Sequence, residues 1–480
     1  MKDTKIYDFL SQFSATELNR FNRYLESPYH NRNQWCKSLF SILESHIRSE
    51  VESDIDKQLV YHKIFETEAY DDKRFRKLCS DLLDLGESYL ALEIYQSNPL
   101  HQANYLLQAV HQRQLEKMYN SATNSVKNLS AKQFQRPASY YYYQYEIEKN
   151  LYKLQNLEVK RASKNSIQLI NLTEIVNNLD YFYISEKLKY YCSLLSWNKI
   201  VSLDHKILFI DEIIQIAEKE EFKHIPPIAI YLKIYYTYIE FENEEHYFDL
   251  KKLITLNLDI FPIDEAKDIM DSVINYTIQK QNKGNSSYAQ ELFDLYKITL
   301  EKETIFINDE ISPWSFKNIV TNSLRLKEFE WTENFIKDYS NKINATYRQN
   351  AINYNIATLN FYKKDFKKVI PQLQTVQYDE AYYGMDSKSQ LLISYYELKE
   401  FEVLSSFCDS FRINLKRNKS ISDYNKKRYQ MLIYFTKKLI NSQENENSKI
   451  IKLKEEIKNS ICVNKNWLLE KVDELLYNLK

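Results

Sequence analysis

The scarcity of glycine constrains this chain more than any other feature of its sequence. Only three of the 480 residues are glycine, namely Gly86, Gly284 and Gly384. Phosphate-binding loops, dinucleotide-binding folds and nucleophile elbows need glycine where the backbone takes a positive φ or approaches a ligand closely. Because the sequence has no glycine cluster, it argues against those enzyme classes and favours long helices.

Length and composition are ordinary for a folded protein and unlike those of a disordered one. Charged residues make up 27% of the chain, hydrophobic residues 44%, and the net charge is −1. No apolar run approaches the ~18 residues of a membrane-spanning helix, and residues 1–20 contain no apolar block of the secretory type. We therefore expect a cytoplasmic protein without a transmembrane segment. The 40 tyrosines, with abundant Asn, Ile and Lys, are typical of an AT-rich bacterial genome.

Helix signals occur throughout the sequence. Ser14-Ala15-Thr16-Glu17 forms a capping box ahead of apolar residues at helical spacing. Further helices are predicted near 33–48, 55–66 and 71–96. Gly86 lies inside the last of these and indicates either a tolerated cost of about 1 kcal/mol or a close helix crossing.

Proline positions support the same interpretation. Ser97-Asn98-Pro99 ends one helix and opens the next, with proline in the first turn. Four later prolines precede long periodic segments and are predicted to mark helix starts: Pro137, Pro227, Pro262 and Pro313. Pro371 falls inside 365–376 and is predicted to kink that helix or to lie in its first turns.

Aromatic residues recur at nearly constant intervals. The intervals are 41, 41, 37 and 35 residues, between Tyr247, Tyr288, Phe329, Phe366 and Phe401. Seven positions after each stands an apolar residue, namely Ile254, Leu295, Ile336, Leu373 and Cys408. Two helical turns span about 7.2 residues, so each pair lies on one face of one helix. The pattern predicts helical hairpins whose second helix opens on the aromatic residue.

The segments 360–369 and 397–404 resemble the turn and second-helix start of tetratricopeptide-like repeats. Their sequences are NFYKKDFKKV and ELKEFEVL, with Val369 and Leu404 where that family usually has alanine. The resemblance covers about 310–410 closely and 99–300 loosely. It implies an α-solenoid that presents a concave surface to a protein or peptide partner.

We therefore predict an all-α fold, a helical-hairpin repeat solenoid with a small N-terminal helical bundle and a C-terminal capping helix. The predicted bundle spans 1–98, the tetratricopeptide-like repeats 99–440 and the capping helix 441–480. Each hairpin leaves one face unburied until a neighbour stacks on it, which suits this division.

No catalytic, cofactor-binding or metal-binding residue is predicted. The five cysteines are scattered without C-x-x-C spacing, and we interpret them as small buried hydrophobes: Cys36, Cys79, Cys192, Cys408 and Cys462. His62 and Glu66, at i and i+4 on one predicted helix face, are interpreted as a surface pair rather than as metal ligands. Glu242, Glu244, Glu245 and His246 are interpreted as solvated charge between helices.

The strongest concentration of charge lies between residues 412 and 438. Nine basic residues face one acid, Asp423, for a net charge of +8: Arg412, Lys416, Arg417, Lys419, Lys426, Lys427, Arg428, Lys437 and Lys438. Such a basic segment is either a solvated helix face or a contact for phosphate backbones, anionic lipid headgroups or an acidic protein segment. No nucleic-acid-binding motif accompanies it, so nucleic acid is not the favoured partner.

The sequence thus favours a non-catalytic scaffold or adaptor that needs no cofactor and holds a protein or peptide partner. Exposed first-helix positions over 310–410 are the natural contact candidates. The alternative is a nucleic-acid- or anionic-surface-associated protein that uses the basic segment 412–438. An enzyme with a site enclosed by helices is a third interpretation, which the glycine argument disfavours.

Overall fold

The computed structural model describes residues 1–49, 54–66, 69–159, 171–198, 207–376, 381–418, 421–441 and 447–478. These residues form 24 α-helices, and the β pairing among them is one isolated bridge between Ile307 and Glu310. The predicted all-α class is confirmed. Within the described ranges, no helix is both long enough and apolar enough to cross a bilayer.

Helices occupy most of both halves of the described chain. The first twelve are α1 (Lys5–Ser11), α2 (Ala15–Glu26), α3 (Gln34–Arg48), α4 (Lys57–Phe65), α5 (Asp72–Ser97), α6 (Pro99–Gln112), α7 (Tyr119–Lys132), α8 (Ala138–Val159), α9 (Leu172–Asn198), α10 (Ile210–Ala217), α11 (Glu220–Lys223) and α12 (Pro226–Ile239). The second twelve are α13 (Glu245–Asn257), α14 (Ile263–Asn282), α15 (Tyr288–Glu301), α16 (Pro313–Arg325), α17 (Phe329–Tyr339), α18 (Ala345–Tyr362), α19 (Phe366–Gln374), α20 (Ala381–Glu397), α21 (Phe401–Arg417), α22 (Asp423–Asn441), α23 (Asn447–Lys458) and α24 (Lys465–Asn478).

The chain divides into two compact units. One consists of Met1–Lys189 and Phe209–Ile228, and the other of Tyr190–Leu208 and Ala229–Lys480. The three-part division at residues 98 and 440 stays a prediction.

Helix starts follow from local side-chain chemistry. The Glu17 carboxylate accepts a hydrogen bond from the Ser14 amide at 2.7 Å, and the Glu17 amide donates to Ser14 Oγ at 3.3 Å, so the predicted capping box is confirmed. Asn98 caps α6, where Pro99 occupies the first position and has no amide to satisfy. The prolines predicted to mark helix starts are confirmed, since Pro137 and Pro262 precede helices and Pro227 and Pro313 lie in first turns. Pro371 is the sixth residue of α19, and its effect on the helix axis stays a prediction.

The residues from Met1 to Tyr89 share one apolar core that combines aliphatic side chains with several aromatic rings. The buried ring of Phe21 has its centroid 5.2 Å from those of both Phe40 and Tyr89. Gly86 lies where α5 meets α1, since a Cβ there would stand 2.5 Å from Cε1 of Phe9. Of the two interpretations of Gly86, the close helix crossing is therefore confirmed.

The aromatic register is confirmed in the second unit. Four of the five aligned aromatics are the first residue of a helix: Tyr288, Phe329, Phe366 and Phe401. Tyr247 is the third residue of α13. All five residues seven positions later are buried, because each points to the same side of its helix as the aromatic.

Three turns between paired helices share one backbone conformation. A lysine takes a left-handed φ of 61–63° in each, at Lys327, Lys364 and Lys399. The amide of the acidic residue that follows donates to the carbonyl five positions earlier at 2.9–3.0 Å, in the pairs Glu328–Ser323, Asp365–Asn360 and Glu400–Tyr395. This is the Schellman closure of a helix, where glycine is usual. After α14 the same position is taken by Gly284, at φ 101°.

Alternate helices of the second unit form a row. From α16 to α22 each helix packs against the next, and α16, α18, α20 and α22 also pack pairwise in that order. We call these four helices the first-helix row, since each is the first helix of a hairpin or occupies the equivalent position.

The C-terminal region differs from the prediction of one capping helix. It contains two helices, α23 and α24, because the chain turns at 459–464, where Asn464 takes φ 51°. Helix α24 contacts residues far back in the sequence: Glu470 pairs with Lys364 at 2.9 Å, and Trp467 Nε1 donates to the Glu397 carboxylate at 2.6 Å. Lys471 pairs with the same carboxylate at 2.9 Å.

Candidate functional site

The first-helix row is joined by a buried polar network. Lys317 of α16 pairs with Asp386 of α20 at 2.7 Å, and the Tyr429 hydroxyl of α22 donates to the other Asp386 oxygen at 2.8 Å. The Lys317 ammonium also lies 5.3 Å from the ring centroid of Trp314 and 5.4 Å from that of Tyr354. One charged group on α16 thereby contacts side chains of α18, α20 and its own first turn.

A second polar bridge links α18 to α20. The Gln390 amide donates to Thr358 Oγ1 at 3.2 Å, with both residues buried. Hydrogen bonds of this kind require one relative position of the two helices, because a one-turn slip would separate the partners. The row is therefore held in a defined register.

Two aromatic side chains stand exposed at the start of this row. Trp314, in the first turn of α16, is 47% exposed, and Tyr347, in the first turn of α18, is 56% exposed. Large exposed aromatics above a fixed network are the residue types that dominate binding energy at protein interfaces. Both residues are exposed first-helix positions within 310–410, where the sequence analysis places its contact candidates.

Three lysines of the basic segment are neutralised by acids. Lys437 pairs with Asp409 at 2.7 Å, Lys438 with Glu456 at 2.5 Å, and Lys426 with Asp423 at 3.6 Å. The hydrogen bond from Lys437 lowers the pKa of the Asp409 carboxyl. The sequence interpretation counted one opposing acid, whereas folding brings Asp409 and Glu456 to the segment from outside it.

Arg428 has structural contacts as well. Its guanidinium lies 5.9 Å from the ring centroid of Tyr424 and donates to Asn425 Oδ1 at 3.4 Å, and its carbonyl accepts from the Val463 amide at 3.5 Å. This arginine helps to hold the turn before α24 against α22.

The remaining charge of the segment is concentrated at the end of α21. Arg412, Lys416 and Arg417 are exposed and form no ion pair within the described ranges, and the same holds for Lys427 on α22. Arg412 and Lys416 are one turn apart and share a helix face. Lys419 lies outside the described residues. The structure therefore reduces the nine-residue segment to a smaller basic cluster: Arg412, Lys416, Arg417 and Lys427.

The cysteines show no sign of activation. Cys36, Cys192, Cys408 and Cys462 are buried and Cys79 is half-buried, and all five are free thiols. Burial raises the pKa of Cys36 to about 12 and that of Cys408 to about 11. Thiols of such pKa stay protonated near neutral pH and are poor nucleophiles, so the interpretation as buried hydrophobes is confirmed for the four buried residues.

The predicted pairing of His62 and Glu66 on one helix face is wrong. Helix α4 ends at Phe65, and Glu66 takes φ 51°, so the two side chains do not share a helix face. Among the described residues, no three His, Cys, Asp or Glu side chains are grouped so as to hold a metal ion.

The interpretation of the acidic cluster before Tyr247 as solvated charge is also wrong, because two of its carboxylates pair with a buried lysine. Glu242 and Glu244 pair with Lys280 at 3.2 and 3.1 Å, and Lys280 is only 4% exposed. Sequence reasoning missed this lysine, although it stands four positions after the buried Tyr276 and seven after the buried Val273. A lysine in register with an apolar helix stripe predicts a buried cation. Its acidic partners here, Glu242 and Glu244, lie in the segment between α12 and α13.

No protein-family model, curated protein or solved structure matches this chain.

Proposed function

We propose that this protein is a non-catalytic scaffold or adaptor, an α-solenoid that holds a protein or peptide partner on its first-helix row. The recurrence of one turn, with a left-handed lysine at intervals of 37 and 35 residues, carries the proposal. Repeated helical hairpins stack because a single hairpin cannot bury both of its faces. Stacking creates an extended surface that suits polypeptide partners. The proposal places the protein in the cytoplasm of a bacterium and α23–α24 at the end of the stack.

The contact residues that we propose are Trp314 and Tyr347. Both are about half exposed and lie in the first turns of adjacent helices of the row. The Lys317 ammonium lies against the rings of Trp314 and of Tyr354 on α18, and its pair with Asp386 ties these helices to α20, so little order has to be gained on binding.

The first experiment is affinity purification from the native host at physiological salt, with and without nuclease, followed by mass spectrometry. We expect a stoichiometric protein partner that survives nuclease. The double variant W314A/Y347A should lose that partner, whereas L256A/Y477A, which removes two other exposed apolar side chains, should retain it. Equal retention by both variants, or no stoichiometric protein, would contradict the proposal.

A second candidate function is contact with an anionic surface. The observation that favours it is the exposed cluster at the end of α21, where Arg412, Lys416 and Arg417 lack ion pairs within the described chain. Reversal of these three charges should weaken retention on heparin steeply at low salt. The matched control R113E/K337E/K367E changes the net charge equally at other exposed positions. Equal elution of the two triple variants would remove this candidate.

A further inference from the structure

A cavity of about 590 Å³ opens between α2, the turn that follows it, and the second half of α5. Its wall includes Arg20, Arg23, Tyr24, His30, Tyr89 and Glu93. Ligand sites for small molecules generally have volumes of ~300–1,000 Å³. The cavity thus has the size of a small-molecule site, and all its lining residues belong to the first compact unit.

One side of the cavity is a rigid aromatic wall. The rings of Tyr24 and His30 are stacked at 4.3 Å with an interplanar angle of 18°. Tyr89 packs against Tyr24 at 5.6 Å and against the buried Phe21 at 5.2 Å. Because Tyr24 and Tyr89 belong to the core of residues 1–89 and His30 stacks on Tyr24, the wall is fixed before any ligand binds.

Tyr89 is the most buried residue of the cavity lining. The residue is 3% exposed, and its hydroxyl has no hydrogen-bond partner within the described chain. Burial, and then the neighbouring Glu93, raise the pKa of this phenol, so it stays protonated and able to donate. A buried hydroxyl without a partner is unfavourable unless something else compensates it.

The charge at the mouth of the cavity is positive. Arg20 pairs with Glu93 at 3.1 Å, which leaves Arg23 as a second guanidinium without an ion pair among the described residues. A guanidinium presents a planar set of donors that matches carboxylate and phosphate oxygens. Cationic donors and ring faces in one cavity are complementary to an anion with an apolar body.

We infer that this cavity is a binding site for a small organic anion carrying a carboxylate or phosphate group. Arg23 binds the anionic group at the mouth, and the side chains of Tyr24 and Leu92 contact the apolar body. The inference is independent of the scaffold proposal, which concerns the second unit.

The test is a titration of the full-length protein with three probes, inorganic phosphate, phenyl phosphate and benzoate, followed by the NMR signals of the His30 ring and by calorimetry. We expect phenyl phosphate or benzoate to bind at least tenfold more tightly than inorganic phosphate, and the tighter of the two identifies the anionic group. No saturable shift of His30 with any probe at 20 mM would overturn the inference.

Two variants separate a site from a structural role. Arg23→Gln should weaken binding at least tenfold, while Arg32→Gln, an exposed arginine outside the cavity, should change it less than twofold. Tyr89→Phe keeps the ring of the wall and removes only an inaccessible hydroxyl without a partner, so it should change binding less than twofold and leave the thermal midpoint unchanged or raised. Equal affinities for the Arg23 and Arg32 variants would overturn the site even if the wild type binds a probe.

Discussion

The core of residues 1–89 and the first-helix row hold their helices together by different means. The N-terminal core is built from apolar and aromatic side chains, with Phe21 in contact with several other rings. The row buries Lys317, Thr358, Gln390 and Ser394 among its apolar residues, and charged groups bridge its helices. Apolar contacts are non-directional, whereas hydrogen bonds fix a register. The difference indicates that the N-terminal core relies on shape complementarity, whereas the row also uses directional contacts to fix the position of each neighbouring helix.

The substitution expected to destabilise the N-terminal core most is Phe21→Ala. It removes a fully buried ring from the centre of the N-terminal core, which should lower the free energy of unfolding by about 4 kcal/mol. Urea denaturation followed by circular dichroism measures the loss. Trp35→Ala, at a half-exposed ring of the same region, is the control, and a similar loss in both variants would show that Phe21 is not central.

The corresponding substitution in the polar network of the first-helix row is Asp386→Ala. It leaves the buried Lys317 ammonium without its carboxylate and the Tyr429 hydroxyl without its acceptor. Because Asp386 itself is 40% exposed, we expect a loss of about 2 kcal/mol, below that of a fully buried pair. In the same denaturation assay Asp423→Ala, which breaks an exposed pair, should change stability by about 0.5 kcal/mol or less. If both variants lose equally little, the network does not stabilise the row.

The crossing at Gly86 allows a test in which the sign of the effect changes. Gly86→Ala places a methyl group against Phe9 and should lower stability by about 1 kcal/mol, since overpacking outweighs the gain in helix propensity. In the background of Phe9→Ala the ring is gone, and the same substitution should stabilise by about 1 kcal/mol. Thermal denaturation of the four proteins completes the cycle. The same sign in both backgrounds would mean that Phe9 does not explain the glycine.

The smallest expected effect concerns the left-handed lysines. Lys399→Gly should stabilise the second unit by about 1 kcal/mol, because glycine adopts φ near 60° without the clash of a Cβ. Lys367→Gly, at an exposed position inside α19, should destabilise by a similar amount. Differential scanning calorimetry resolves both shifts, and a destabilised Lys399→Gly would show that the lysine side chain contributes more than its backbone strain costs.

The features that sequence predicted are those whose causes are local. A cap such as Ser14, a proline such as Pro313 and an aromatic such as Phe366 act within one turn of their own position, so the helix starts and the register followed from the sequence. The order of hairpins followed from the same repeat.

The features that sequence missed depend on partners brought together by folding. Lys317 meets Asp386 across 69 residues, and Glu456 neutralises Lys438 from the next helix. One sequence gives no information on which of many lysines meets which acid. The cavity beside Tyr89 was missed for the same reason, because its cations come from α2 and the ring of Tyr89 from α5.

The contacts of α24 also have a consequence for how the protein is made. The partner of Lys364 is Glu470, 106 residues later. A ribosome adds ~5–20 residues per second, so on the order of 5–20 s separate the synthesis of the two. During that interval Tyr396 lacks the ring of Trp467 that later packs on it at 5.3 Å. The hairpins from α18 to α21 therefore emerge before the helix that covers Tyr396, which leaves that ring open to a nascent-chain chaperone that recognises aromatic segments.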